Sequence, residues 1–138
     1  MKFPAIIIGE TYEFTRVVDD TKAAGSYWTN GIEELFSSAA AVELMSEAAT
    51  EFVDQRLPDG FMSVAKRSDV THENPVVVGT PISVRLEISA FDGYHIQLAM
   101  VIHVGDEIVL RGHHERSIVN QRWMPRARGP KRHCQERR

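Results

Sequence analysis

The sequence predicts an α+β domain in which a strongly curved antiparallel sheet wraps one long central helix. Three observations lead to this fold class. A single long helical run stands in the chain, beginning after Ser37 and Ser38 and ending near Gln55. Beyond Pro81 the pattern changes to period-two alternation, and two tight hairpin signals join the alternating runs. A lone helix with a broad apolar arc has only a sheet face to cover it, so the sheet has to curve around it. A generic α+β sandwich is the competing layout.

Tyr12 to Val18 (YEFTRVV) is rich in β-branched and aromatic residues and reads as the first strand. Asp19 to Gly31 reads as a loop with a tight turn at Ala24-Gly25-Ser26. Ser37 and Ser38 then precede an alanine-rich run. Serine is favoured at a helix start because its hydroxyl accepts a bond from an N–H that the first turn leaves unpaired. On a helical wheel Ala41, Val42, Leu44, Met45, Ala48, Ala49, Phe52 and Val53 share one arc, with Glu43, Glu47, Thr50 and Asp54 opposite. The alanines in that arc let the helix lie close to whatever covers it. Leu57-Pro58-Asp59-Gly60 ends it with turn chemistry.

Ile82, Val84, Leu86 and Ile88 alternate with polar residues, as in a strand with one buried face. Asp92-Gly93 is a strong hairpin signal and leads to Ile96, Leu98, Met100 and Ile102. Gly105-Asp106 closes a second hairpin. In the last strand Ile108, Leu110, Gly112, His114, Arg116 and Ile118 alternate with Val109, Arg111, His113, Glu115, Ser117 and Val119. The edges of such a meander need pairing or cover, and edge-to-edge dimerisation supplies it.

The chain has 138 residues, 43% of them hydrophobic and 25% charged, enough for one core and one domain. A net charge of −3 argues against a general nucleic-acid binder, which needs a large cationic excess. Basic residues nevertheless crowd into the segment after Arg122, so residues 1–121 read as the domain and 122–138 as a basic, flexible tail. Contact of that tail with an anionic ligand, such as the phosphates of coenzyme A, is the functional alternative. Cys134 is the single cysteine, which excludes an intrachain disulfide or a cysteine-rich metal site. Phe3 to Ile8 is too short for a signal peptide's apolar core, and no apolar run is long enough to span a membrane. The chain therefore reads as a soluble, cytoplasmic protein.

The segments SSAAAVELMSEAA, DVTHENPVVVG and GDEIVLRGHHERSIV, in that order and at that spacing, resemble the hotdog-fold acyl-CoA thioesterases of the fluoroacetyl-CoA thioesterase type. The resemblance covers roughly residues 8 to 120. It implies the hotdog fold, a homodimer with active sites at the subunit junction, and hydrolysis of an acyl-CoA thioester without metal or cofactor, coenzyme A being part of the substrate. It also implies a site made of a hydroxyl residue at the start of the central helix, a Glu eight residues later and a His in a V-x-H segment. Here these positions are Ser38, Ser46 and His72. Leu44-Met45 sets the register, and Ser46 departs from the family's Glu.

His72 carries an imidazole that titrates near neutrality, suited to activating water or protonating a leaving thiolate. A plain surface histidine is the bland alternative. Ser38 fits a helix cap, and the N–H groups behind it fit a thioester oxygen that becomes an oxyanion. Ser46 has no carboxylate, and its hydroxyl is suited to holding a water that His72 activates. Glu43 and Glu47 read as solvated, with Glu47 the better substitute base if a partner subunit buries that face. Phe36, Phe52, Phe61 and Trp28 are candidates for an acyl pocket or for plain core. His95, His103, His113 and His114 do not make a metal site, because adjacent strand histidines face opposite ways. His114, Glu115 and Arg116 match the family's H-E-R, expected at the packed or interface surface of the sheet.

The expected activity is hydrolysis of an acyl-CoA to free acid and CoA, by a homodimer or a tetramer built from it. The alternatives are a non-hydrolytic hotdog protein (acyl-CoA binding, dehydratase or cyclase) in a biosynthetic pathway, and a structural partner-binding module.

Overall fold

The computed structural model describes residues 3–19 and 35–122. The expected turn at Ala24-Gly25-Ser26, Trp28 and the tail from residue 123 on, with Cys134, lie outside the described residues. Six elements follow in order: β1 (Thr11–Val17), α1 (Ser38–Asp54), β2 (Phe61–His72), β3 (Pro81–Phe91), β4 (His95–Val104) and β5 (Glu107–Asn120). The five strands form one antiparallel sheet in the order β1-β3-β4-β5-β2. The curved sheet and single helix are the architecture the alternation implied.

The meander β3-β4-β5 supplies the core. Ile82, Val84, Leu86 and Ile88 of β3, Ile96, Leu98, Met100 and Ile102 of β4, and Leu110 of β5 are buried on one face. The Asp92-Gly93 turn forms as its chemistry requires. Asp92 Oδ1 accepts from the backbone N–H of Tyr94 and His95 at 3.0 and 2.8 Å, and Gly93 takes a φ of 107° that a side chain would resist.

Against this face lies α1, burying Ala40, Ala41, Leu44, Met45, Ala48, Ala49, Phe52 and Val53, while Glu43 and Glu47 are exposed. Met45 of the helix packs on Gly112 of β5. A Cβ there would come within 3.0 Å of Met45 Sδ and of the Asp69 carbonyl oxygen.

The helix is tied at both ends to β2. Ser38 meets His72 at the start of the helix, and at its end Asp54 Oδ1 accepts from the Ser63 hydroxyl and backbone N–H, at 2.6 and 3.1 Å. Two features have no periodic signature in the sequence. The first is β2 itself, whose alternation is interrupted by a bulge at Lys66, between the pairs Ala65–Arg116 and Arg67–Glu115. The second is the N-terminal segment. Phe3 and Ile6 are buried, and Phe3 packs edge-on against Phe61 and Tyr94 at ring distances of 5.1 and 6.5 Å.

Candidate active site

Position in the fold gives the two adjacent serines different work. Ser37 is the N-cap: its hydroxyl accepts from the Ala40 N–H at 2.9 Å, and its carbonyl accepts from the Ala41 N–H. The expectation that Ser38 caps the helix is therefore corrected, because the helix begins one residue earlier. Relieved of capping, the Ser38 side chain points to β2, with Oγ 2.9 Å from His72 Nδ1. The N–H groups of Ser38 and Ala39 stand at the first two helical positions, where no intrahelical acceptor exists. They add to the partial positive charge of the helix start.

The chain around this point is held firmly. The Phe36 N–H donates to the Val76 carbonyl at 2.8 Å, and Leu35 forms a bridge with Val77, so the run into α1 is stitched to the segment following His72. On the other side, the Glu73 and Asn74 N–H groups both donate to the Val109 carbonyl. Residue 72 thus sits where β2, β5 and the helix start converge.

The His72 ring is half-buried, and Phe36 packs against it edge-on at 5.8 Å between centroids. Burial disfavours the imidazolium and holds the pKa of His72 below histidine's ordinary value. Its Nε2 is buried and has no hydrogen-bond partner among the described residues. Buried polar atoms are nearly always paired, and an unpaired one at such a convergence points to a reaction partner or ligand. A neutral imidazole with one nitrogen fixed by a hydroxyl and the other unengaged is suited to general base work.

The remaining candidates distribute differently. Ser46 stands eight residues along α1 from Ser38, about 12 Å down the helix axis, half-buried at the margin of the packed arc. Its carbonyl accepts from the Thr50 hydroxyl. Within one protomer the pair Ser38–His72 is brought together, and Ser46 is set apart from it by that rise.

Phe36 is the aromatic beside His72. Phe52 stacks on Tyr12 at 5.4 Å, and Phe61 packs against Phe3 near the far end of the helix, so these two are core and do not join Phe36. His113 is exposed and His114 buried, on opposite faces as strand geometry requires. Among the described residues no group of three or more His, Cys, Asp or Glu is placed to hold a metal ion. No described helix is long and apolar enough to cross a membrane.

A second polar cluster, outside the expected site apart from the H-E-R match, lies under the other half of the helix. Arg116 and His114 are 3% and 1% exposed and contact each other, Ser63 and Ser68. The even-numbered parity of β5 already puts His114 and Arg116 on the inner face with Leu110, and that is the signal from which the cluster was readable.

A family model described as fluoroacetyl-CoA-specific thioesterase matches residues 18–122. The structure is similar to that of a hot-dog-like protein from Thermanaerovibrio acidaminovorans, with 27% identity and a TM-score of 0.83 over 94% of this chain and 100% of that one. It is also similar to the fluoroacetyl-CoA thioesterase FlK, at 22% identity and a TM-score of 0.74, covering 85% of this chain and 90% of the other. A thioesterase superfamily member from Thermus thermophilus shares the fold at 14% identity and a TM-score of 0.76, over 85% and 86% of the two chains. No curated protein matches the chain.

Proposed function

Because the chain belongs to the fluoroacetyl-CoA-specific thioesterase family and has the hotdog fold, we propose that it hydrolyses an acyl-CoA thioester with His72 as general base. The contact between Ser38 Oγ and His72 Nδ1 at the start of α1, with Nε2 left unengaged, carries this reading.

The neutral ring donates its Nδ1 proton to Ser38 Oγ, which orients it and leaves the lone pair on Nε2. A water near Nε2 loses a proton to it as the water oxygen attacks the thioester carbonyl. The resulting oxyanion lies at the N–H groups of Ser38 and Ala39. Collapse breaks the C–S bond, and the imidazolium returns its proton to the departing thiolate. The products are the free acid and CoA. No metal or further cofactor enters these steps.

Ser46 belongs to the proposed site as the holder of a water. Two protomers paired through their sheets form the working unit, and a partner's helix is one route by which a hydroxyl at position 46 reaches a His72 that its own protomer keeps it from. The acyl pocket begins at Phe36.

A screen of purified protein for free CoA release from short, branched and aromatic acyl-CoAs tests the function. Release from at least one, lost in His72→Ala, is the expected result. The serine at position 46, where the family carries a carboxylate, favours a second reading of acyl-CoA binding or of dehydratase or cyclase chemistry. Binding by calorimetry without CoA release from any acyl-CoA would establish it over hydrolysis.

A further inference from the structure

His72 faces the helix because Lys66, six positions earlier, is left out of the pairing with β5. On the inner face of β5 stand Ile118, Arg116, His114, Gly112 and Leu110, and their partners on β2 are Ser63, Ala65, Ser68, Val70 and His72. Directly paired residues of antiparallel strands share a face. The inward positions of β2 are thus odd-numbered up to Ala65 and even-numbered from Ser68. The unpaired Lys66 changes the parity. In a regular strand continuing from Ala65, Arg67, Asp69 and Thr71 would point at the helix, and His72 would point away from Ser38.

A bulge of this kind needs a reason to stay at one place. Lys66 is exposed and supplies none. The buried side chains beside it do. Before the bulge, Arg116 donates through Nε to Ser63 Oγ at 2.7 Å and through Nη2 to the Ser63 carbonyl at 3.0 Å. After the bulge, His114 Nδ1 lies 2.6 Å from Ser68 Oγ. The two halves are joined on β5, where Arg116 Nη1 donates to His114 Nε2 at 3.0 Å. This bond assigns the ring: Nε2 accepts, so Nδ1 carries the proton and donates to Ser68. The chain of contacts ends at Asp54, which accepts from Ser63 Oγ and places a carboxylate near the buried guanidinium. Ser63, Arg116, His114 and Ser68 therefore span the bulge from both sides, a continuous polar path in an otherwise apolar layer.

We propose that His114 and Arg116, acting through Ser63 and Ser68, are positioning residues for His72: they lock the Lys66 bulge and so the phase that turns His72 toward Ser38. The proposal rests on the reading of His72 as the reactive residue, but its test does not depend on turnover. Imidazole nitrogen resonances of His72 are recorded by NMR in the full chain, with and without Ser38→Ala.

In the native background Ser38→Ala displaces the His72 Nδ1 resonance. In His114→Gln, whose amide oxygen still accepts from Arg116 while contact with Ser68 is lost, the displacement is expected to shrink by about half or more, as for an interaction uncoupled in a double-mutant cycle. Ser68→Ala, which deletes one hydroxyl from a half-buried position, does the same if His114→Gln fails to fold, and Ser68→Thr restores the native response. A folded Ser68→Ala in which His72 keeps both its native resonance and its full response to Ser38→Ala overturns the proposal. Native protein that releases no CoA would instead overturn the thioesterase reading, with the NMR result still interpretable.

Discussion

Met45 of the helix packs directly on Gly112 of the sheet. The thioether sulfur occupies the place where a β5 side chain would begin, 3.0 Å from an ideal Cβ on residue 112, with the Asp69 carbonyl at the same distance behind it. Only one of those neighbours is flexible. Gly112→Ala is therefore expected to destabilise the protein by about 1–3 kcal/mol, the cost of overpacking a filled core, measured as a lowered urea midpoint. An unchanged midpoint would mean that Met45 moves aside freely.

The two serines at the helix start separate stability from chemistry. Ser37→Ala removes the cap and is expected to cost about 1 kcal/mol in a denaturation experiment. Ser38→Ala removes the partner of His72 Nδ1 and is expected to lower turnover with a much smaller stability loss. The reverse pattern would return Ser38 to a purely structural role.

For His72→Ala the expectation is a loss of turnover of at least about a hundredfold, the scale of a positioned general base, with little change in thermal stability. The pH dependence has a definite sign. Burial lowers the pKa of His72, so the neutral, proton-accepting form persists to lower pH than for an exposed histidine. The acid limb of kcat/KM is expected to have its midpoint below histidine's usual 6.5. A limb centred above that value would assign the essential group elsewhere.

Acid stability is expected to report on His114. Burial, followed by the neighbouring Arg116 charge, pushes its pKa from 6.5 down to about 4. The folded protein then binds fewer protons than the unfolded chain between those values. Stability from this source is complete above the unfolded pKa and declines as pH falls toward about 4, with no further loss from this group below it. His114→Gln removes the contribution, so chemical denaturation of the variant and native protein between pH 7 and 4 is expected to show a shallower slope in the variant. Parallel slopes would place the proton uptake in other groups.

Position 46 distinguishes a changed mechanism from a lost one. Ser46→Glu is expected to raise hydrolysis of a small acyl-CoA if the site retains its relatives' use of a carboxylate at that position. Glu47→Gln abolishes hydrolysis instead if the exposed Glu47 is brought to a site by a partner protomer, and Ser46→Glu then helps little because it adds a like charge alongside. Rates unchanged in both variants leave His72 and water as the complete machinery.

The legible parts of the fold were those whose periodicity runs without interruption. Ile82 to Ile88 and Ile96 to Ile102 alternate cleanly, Asp92-Gly93 forces a turn, and the arc from Ala41 to Val53 repeats at helical spacing. The unreadable parts each break a period or have none. At Lys66 the alternation of β2 restarts out of phase, so its inward residues share no single parity. Phe3 reaches Phe61 and Tyr94 across a large sequence gap, through packing that no local pattern encodes. In the site, the resemblance pointed to both Ser38 and His72, but adjacent serines at a helix start look alike until the start is located. The separation of Ser46 from that pair follows from helical rise and needed the helix to be placed on β2.

The bulge makes Lys66 a residue that β2 carries without pairing it. Lys66 is exposed and none of its chemistry is used in the core, so exchanging it for another polar residue leaves every inward position of β2 as it was. Removing it would join Ala65 directly to Arg67, a regular strand in which Ser68, Val70 and His72 keep their partners on β5 and their inward side. It is Lys66 taking a place in the ladder that would turn the six downstream residues over and set Thr71 opposite Leu110. Position 66 acts by being left out of the count, and nothing in the character of its side chain shows that.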